Sequence, residues 1–262
     1  MKRRGADSDG DEMTALAENL ERVEEQMAAA CRRCGRTRGE VELMAVSKTF
    51  PADAIVEAVG LGLTLFGENR VQEFAAKAPE LAARWAPHVS VLEPRNVQPP
   101  IHVHLIGHLQ SNKSGRAAEL FDGIDSLDSL RLAERLDDAA GKLTRRLPVL
   151  IEVKLSSEET KSGIDPQSAE AAALLERLPD LAHLEARGLM TIAPWGAPEN
   201  DTRACFRSLR EWRDRWAQAH PRLALNVLSM GMSGDFALAI EEGSTRIRIG
   251  TALFGKRAPR PS

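Results

Sequence analysis

A chain of 262 residues, 43% hydrophobic and 28% charged, suits one soluble globular domain with a sizeable core. Lys plus Arg total 35 against 38 Asp plus Glu, a net charge of −3, so no basic excess exists to neutralise a phosphate backbone, and nucleic acid is excluded as the main partner. No apolar run approaches the roughly 18 residues of a membrane span, and the charged start MKRRGADSDGDEM has no apolar segment behind it to make a secretory signal, which points to a cytoplasmic protein.

Residues 1–12 are expected to be a disordered tail, followed by a single domain over 13–262. From Met13 to Cys34, Leu16, Leu20, Val23 and Met27 recur at helical spacing, with Thr14 as a candidate cap. Cys31 and Cys34 form a C-x-x-C at the end of this helix. A structural zinc needs a second pair of ligands, and none of suitable spacing accompanies this one. A redox pair belongs at the start of a helix that follows a strand. Two reduced helix cysteines are the reading, and no metal is expected.

Apolar runs then appear at VELMAV, LTLFG, IHVHLIG, GIDSL, PVLIEVKL, HLEARGLM, LNVLSM and RIRIG. Helical stretches lie among them at 52–60, 69–84, 114–120, 128–142, 166–177, 201–218 and 235–242. Capping signals are Ser126 or Asp128 for the 128–142 helix, Asp165-Pro166 for 166–177 and Asn200 or Asp201 for 201–218. Strands alternating with helices imply a parallel sheet. Eight units in about 220 residues imply a closed (β/α)8 TIM barrel rather than an open sheet. No strand leads into the G-x-G-x-x-G of a dinucleotide fold. Little chain follows RIRIG, so the N-terminal helix is expected to fill the place of a long final one. The segment 86–100, APHVSVLEPRNVQPP, has four prolines and no clear period and reads as a loop. Trp212 and Trp216, at i and i+4, read as the barrel-facing side of their helix rather than as an interface.

In a parallel barrel, chemistry gathers where strands end. Those ends here are polar or glycine-rich: Ser47-Lys48-Thr49, Gly67-Glu68-Asn69, Gly107-His108, Asp125-Ser126, Lys154, Met190-Thr191, Ser229 to Ser233, and Gly250-Thr251. Two of them suit a phosphate. LSMGMSGD offers the hydroxyls of Ser229 and Ser233 with Gly231 and Gly234, and RIGTALFG offers Gly250 and Thr251. Backbone N–H groups near a helix start favour a dianion, and barrels often bind phosphate after strands seven and eight. Taken singly, each stretch is an ordinary glycine turn; their adjacency makes phosphate the better reading. Lys48 beside such a cradle is a candidate desolvated amine that forms a Schiff base with a carbonyl. A phosphate with an aldehyde describes pyridoxal 5′-phosphate (PLP), and equally the substrates of Schiff-base aldolases.

At these residues the chain resembles the YggS/PROSC-type PLP homeostasis proteins, a family of PLP-binding proteins. The stretches that carry the resemblance are LMAVSKTFP, FGENRVQE, HLIGHLQSNK, IDSLDSLRLAERL, EVKLSSEETKSGI, ARGLMTIAP and LSMGMSGDFALAIEEGSTRIRIGTALFG, over about residues 41–255. The resemblance implies a fold-type III barrel like the N-terminal domain of alanine racemase. It implies Lys48 as the Schiff-base lysine and Asn69 near the cofactor ring. It also implies Ser229, Gly250 and Thr251 in the phosphate cradle, and Arg248 facing the pyridine nitrogen. Read without it, Arg248 is a barrel-lining arginine paired with a carboxylate such as Glu152. Phe50 stands where relatives often carry a second lysine, and Lys154 replaces a common asparagine.

The same resemblance separates a carrier from an enzyme. Alanine racemase works with a lysine on one face of the substrate carbon and a tyrosine from a second domain on the other. This chain has no tyrosine and ends about a dozen residues after its last strand, so the second domain is expected to be absent. Nothing in the sequence places His108 or Cys205 opposite Lys48, and His104 with His108 in a strand-loop context is a poor metal pair. The expectation is a non-catalytic, monomeric PLP carrier whose partners are PLP, apo PLP-dependent enzymes and free amino acids. A PLP-dependent amino-acid racemase is the alternative, and a Schiff-base aldolase, which would be colourless, comes third.

Overall fold

A computed structural model describes residues 14–85, 101–155 and 162–255; the expected tail 1–12 and loop 86–100 lie outside the described residues. Eight parallel strands follow one another around a closed barrel. They are β1 (Glu42–Val46), β2 (Leu65–Glu68), β3 (His102–Leu105), β4 (Gly123–Leu127), β5 (Leu147–Glu152), β6 (Leu184–Met190), β7 (Val227–Ser229) and β8 (Arg246–Ile249). Closure comes from β1 pairing β8, with Ala45 opposite Ile249. The helices α2 (Ala52–Gly60), α3 (Val71–Trp85), α4 (Ser114–Leu120), α5 (Leu130–Lys142), α6 (Ala169–Arg177), α7 (Glu199–Ala219) and α8 (Phe236–Glu241) cover its outside. The expected (β/α)8 barrel is thus the fold observed.

Burial explains why each run took its form. All five residues of β4 are buried, as a parallel strand covered on both faces requires. On α5 only one stripe is: Leu132, Ala133, Leu136 and Ala140 face the sheet, while Arg131, Glu134, Arg135 and Asp138 meet water. Cutting fully buried Leu136 to alanine would cost about 2–5 kcal/mol. At the β6–β7 seam, a Cβ on Gly188 would sit 1.9 Å from the Val227 carbonyl oxygen, so only glycine lets these strands meet.

The expected role of the N-terminal helix, α1 (Ala15–Arg33), is borne out. It packs on α8 and on the short closing helix α9 (Thr251–Phe254). Thr14 caps it by accepting from the Ala17 N–H at 3.2 Å, and Asn19 donates to the Leu253 carbonyl at 2.7 Å. Cys31 and Cys34 are free thiols. Trp216 is buried with its ring 5.9 Å from that of Trp212, on the barrel-facing side.

Three caps differ from expectation. Ser129, not Ser126 or Asp128, caps α5 by accepting from the Leu132 N–H at 3.3 Å. Ser168, not Asp165, caps α6, while Asp165 accepts from the Gln167 N–H at 2.9 Å. The cap position of α7 is Pro198, which leaves Asn200 and Asp201 inside the first turn. Several oxygens compete within a few residues, and only the one whose backbone is extended just before the helix can cap it.

Charged side chains are buried at both the floor and the mouth of the barrel, Asp125 at one and Glu152 and Arg248 at the other. Near the floor, Arg246 bridges Glu42 at 2.7 Å and Asp125 at 3.3 Å, and Asp125 bonds His104 Nδ1 at 2.8 Å. Burial pushes the Asp125 carboxyl up, but His104 and Arg246 outweigh it and hold the group below its ordinary value. His104 is thereby committed to Asp125, and among the described residues no cluster is suited to a metal ion.

Candidate functional site

A cavity of about 1090 Å3 opens at the C-terminal ends of the strands, and Lys48, Asn69, Arg248, Gly250 and Thr251 all line it. The expected site residues therefore converge, with one departure. Ser229 is fully buried and does not line the cavity; its hydroxyl accepts from Arg248 at 2.8 Å. Ser233, the other serine of the same stretch, does line it.

Lys48 sits on a corner that the chain must be held to make. Thr49, the next residue, has φ +69°, a left-handed conformation that costs a non-glycine residue of the order of 1 kcal/mol. Helix α3 secures it: the Glu73 carboxylate accepts from the Thr49 N–H, and Lys77 donates to the Ser47 carbonyl at 3.0 Å. Lys77 also donates to Glu68 Oε1 at 2.6 Å, and the Ser47 hydroxyl to the same oxygen at 2.8 Å. Burial pushes the Glu68 carboxyl up, against the pull of Lys77. This anchor under the lysine went unread in the sequence, because Lys77 on a helix looks like a solvated charge. Lys48 itself is half-buried at the cavity wall.

Asn69 follows β2, and its place depends on Gly107. A Cβ at 107 would lie 2.3 Å from the Asn69 carbonyl oxygen. The loop after β7 turns at Gly231, φ +96°, where a Cβ would meet Ala239 Cβ at 2.6 Å. Asp235 accepts from the Met232 N–H at 2.6 Å, and the Ser233 hydroxyl accepts from the Ala252 N–H at 3.2 Å, tying this loop to the one after β8. Gly234, Gly250, Ser233 and Thr251 thus line one side of the cavity at the ends of β7 and β8, small residues and hydroxyls suited to an anion.

Arg248 is 3% exposed and donates to the Ser229 carbonyl at 2.7 Å and the Thr191 carbonyl at 2.7 Å as well as to the Ser229 hydroxyl. Burial draws its guanidinium below its ordinary value, opposed by Asp125, Glu152 and Asp235, and it stays a cation because that ordinary value is so high. It makes no ion pair with Glu152 among the described residues. Glu152 is 5% exposed and lines the same cavity, with Oε2 lacking a hydrogen-bond partner among the described residues. Burial first, then the nearby Asp128 carboxylate, push its carboxyl up to about 7, against Arg248. His108 also lines the cavity, bonded to Asp128 at 3.2 Å, whereas Cys205 is buried in α7 and does not. The site therefore brings an amine, a buried cation, a stretch suited to an anion and the buried Glu152 carboxyl onto one cavity.

Residues 13–258 match the family described as alanine racemase, N-terminal domain. The pyridoxal phosphate homeostasis protein of Vibrio cholerae is 42% identical over 254 residues, covering 94% of this chain and 98% of that one. Its counterpart in Escherichia coli K12 is 42% identical over 246 residues, again covering 94% and 98%. The structure of PipY of Synechococcus elongatus with PLP bound aligns at a TM-score of 0.76 and 42% identity, covering 92% of this chain and 100% of that one. Alanine racemase of Clostridium difficile shares the fold at a TM-score of 0.61 and 15% identity, with 57% of its own length covered. Matched by that domain over nearly its whole length and by these relatives at such identity, the chain belongs to the pyridoxal phosphate homeostasis protein family.

Proposed function

We propose that the chain binds PLP through an imine on Lys48 and serves PLP homeostasis in the cytoplasm, holding the cofactor as a monomer and handing it on with little turnover of its own. The observation that carries this reading is the convergence of Lys48, Arg248 and residues 232–235 and 250–251 on one cavity, in a chain 42% identical to a relative whose structure holds PLP. The residues fit the group. PLP supplies an aldehyde that condenses with a primary amine, on a ring that withdraws electrons. Lys48 supplies the amine, the glycine-rich wall accepts the phosphate, and Gly234, where a Cβ would meet nothing within 4 Å, leaves room for it. Arg248, already a cation, keeps a facing pyridine nitrogen unprotonated, so the ring drains charge less and proton abstraction beside the imine is poorly supported. Apo PLP-dependent enzymes and free amino acids are the partners of this reading.

The test is reconstitution. Protein incubated with PLP should turn yellow, lose the visible band on borohydride reduction and carry the pyridoxyl mass on the peptide holding Lys48; Lys48→Ala should do none of these. A pyridoxyl group retained elsewhere in the variant would overturn the assignment. A racemase is the second reading, because His108 lines the cavity and is a possible second base. Rapid α-proton exchange of amino acids in deuterated water would favour it over the carrier.

A further inference from the structure

The two walls of the cavity differ in charge. The ends of β8 and β1 supply the cations Arg248 and Lys48, with Asp235 after β7, whereas the end of β5 supplies Glu152, with Asp128 behind it. In the closed order of eight strands, β5 lies across the barrel from β1, so Glu152 faces the Lys48 side from the opposite rim. A ligand held by Lys48 and the phosphate wall leaves that rim free. The cavity, at about 1090 Å3, also exceeds the roughly 300–1,000 Å3 that encloses one drug-sized ligand. Within that spare room Glu152 holds a carboxyl oxygen that is buried and has no hydrogen-bond partner among the described residues. A buried acceptor left unsatisfied is costly, and what relieves it is a donor, best a charged one.

We propose that Glu152 is the docking point for the ammonium of an incoming primary amine, an amino acid among them, and takes its proton so that the amine can displace Lys48. The inference rests on the proposed Lys48–PLP linkage and adds to it the residue that discharges the cofactor. The ammonium gives one proton to the Glu152 carboxylate. With the imine protonated on Lys48 Nζ, the neutral nitrogen would add to the carbon joined to Nζ, and one proton would pass from the adding nitrogen to Nζ. The C–Nζ bond would break with its electron pair going to Nζ, so that Lys48 leaves with two hydrogens as a neutral amine. The proton held by Glu152 would return to that amine through solvent. No oxidant or reductant is needed. The charged or titratable groups around Glu152 are Lys48, His108, Glu199, Asp235 and Arg248 in the cavity, Asp128 at the end of β4, and Lys154 two residues onward.

The experiment uses the PLP-loaded full chain and Glu152→Gln, with two probes: L-alanine, whose nitrogen is an ammonium at neutral pH, and methoxyamine, whose nitrogen is not. Loss of the visible band is followed for each. Glu152→Gln should slow discharge by L-alanine about a hundredfold, the usual scale of a lost acid–base group, and leave discharge by methoxyamine unchanged. In the wild type, the ratio of the L-alanine rate to the methoxyamine rate should fall as Glu152 becomes protonated below neutrality. In the apo-protein, with 13C in its carboxyl groups, saturating methylammonium should move the Glu152 resonance to a lower titration midpoint. Equal slowing with both probes, no slowing, or a resonance indifferent to methylammonium would overturn the role of Glu152 while leaving Lys48 in place. A wild type that forms no reducible visible band would overturn the Lys48 linkage and this inference together.

Discussion

Replacing Lys77 by methionine isolates the anchor beneath Lys48. The ammonium lies 2.6 Å from Glu68 Oε1 and 3.0 Å from the Ser47 carbonyl, with Lys77 8% exposed and Glu68 fully buried. Removing one partner of a buried pair strands the other, at about 3–5 kcal/mol. For a domain of this size that corresponds to a fall in melting temperature of about 6–20 °C. The penalty depends on pH. Glu68 is already pushed above its ordinary value by burial, and without Lys77 only the Ser47 hydroxyl still opposes that push. A carboxyl whose folded value is raised contributes stability that is present at low pH and lost as pH rises through that value. Lys77→Met should therefore be weakest near pH 8 and recover part of the deficit toward pH 5. Adding Glu68→Gln should restore most of the rest, because the stranded charge is gone. Denaturant melts of the wild type, the single and the double variant at both pH values provide the measurement. A single variant equally unstable at both pH values, or a double variant no better than the single, would refute the argument.

Glu152→Gln carries a second stability signature in the apo-protein. The carboxyl moves from an ordinary value of 4.5 to about 7, and 2.5 units at about 1.4 kcal/mol each gives an order of 3 kcal/mol. The wild type should lose that much relative to the variant as pH rises through 7, and the two should converge near pH 5, as read by melting temperature. Gly107→Ala places a methyl 2.3 Å from the Asn69 carbonyl oxygen, so the loop after β2 must shift. PLP affinity by fluorescence titration should fall about tenfold or more, with the fold intact by circular dichroism. Gly188→Ala, 1.9 Å from the Val227 carbonyl oxygen, has no loop to absorb the clash and should destabilise by at least about 4 kcal/mol or fail to fold. Arg248→Ala leaves the Thr191 carbonyl without its donor and takes one of two from the Ser229 carbonyl, which keeps the Thr191 N–H; it should cost about 2 kcal/mol or more while weakening PLP binding, and thermal melts and absorbance titration separate the two effects.

Much of this was legible along the chain because the relevant signals are local. Apolar runs alternating with helical periods mark eight strands and their helices, and the end of a parallel strand is a predictable place for a side chain that does chemistry. Strand ends and the motifs of the resemblance point to Lys48, Asn69, Arg248, Gly250 and Thr251, and all five line the cavity. What closure of the barrel decided is which of these groups meet. Ser229 faces inward one step too deep and serves Arg248 instead of the cavity, a distinction of register that no spacing reveals. The caps at Ser129 and Ser168 depend on backbone angles rather than on residue type. The ion pair of Glu68 and Lys77 joins a strand to the outward helix beside it, and Glu152 gains its raised carboxyl only when burial and Asp128 act on it together. Periodicity belongs to neighbours in sequence, whereas desolvation and charge coupling act between atoms that only the closed barrel brings within a few ångströms.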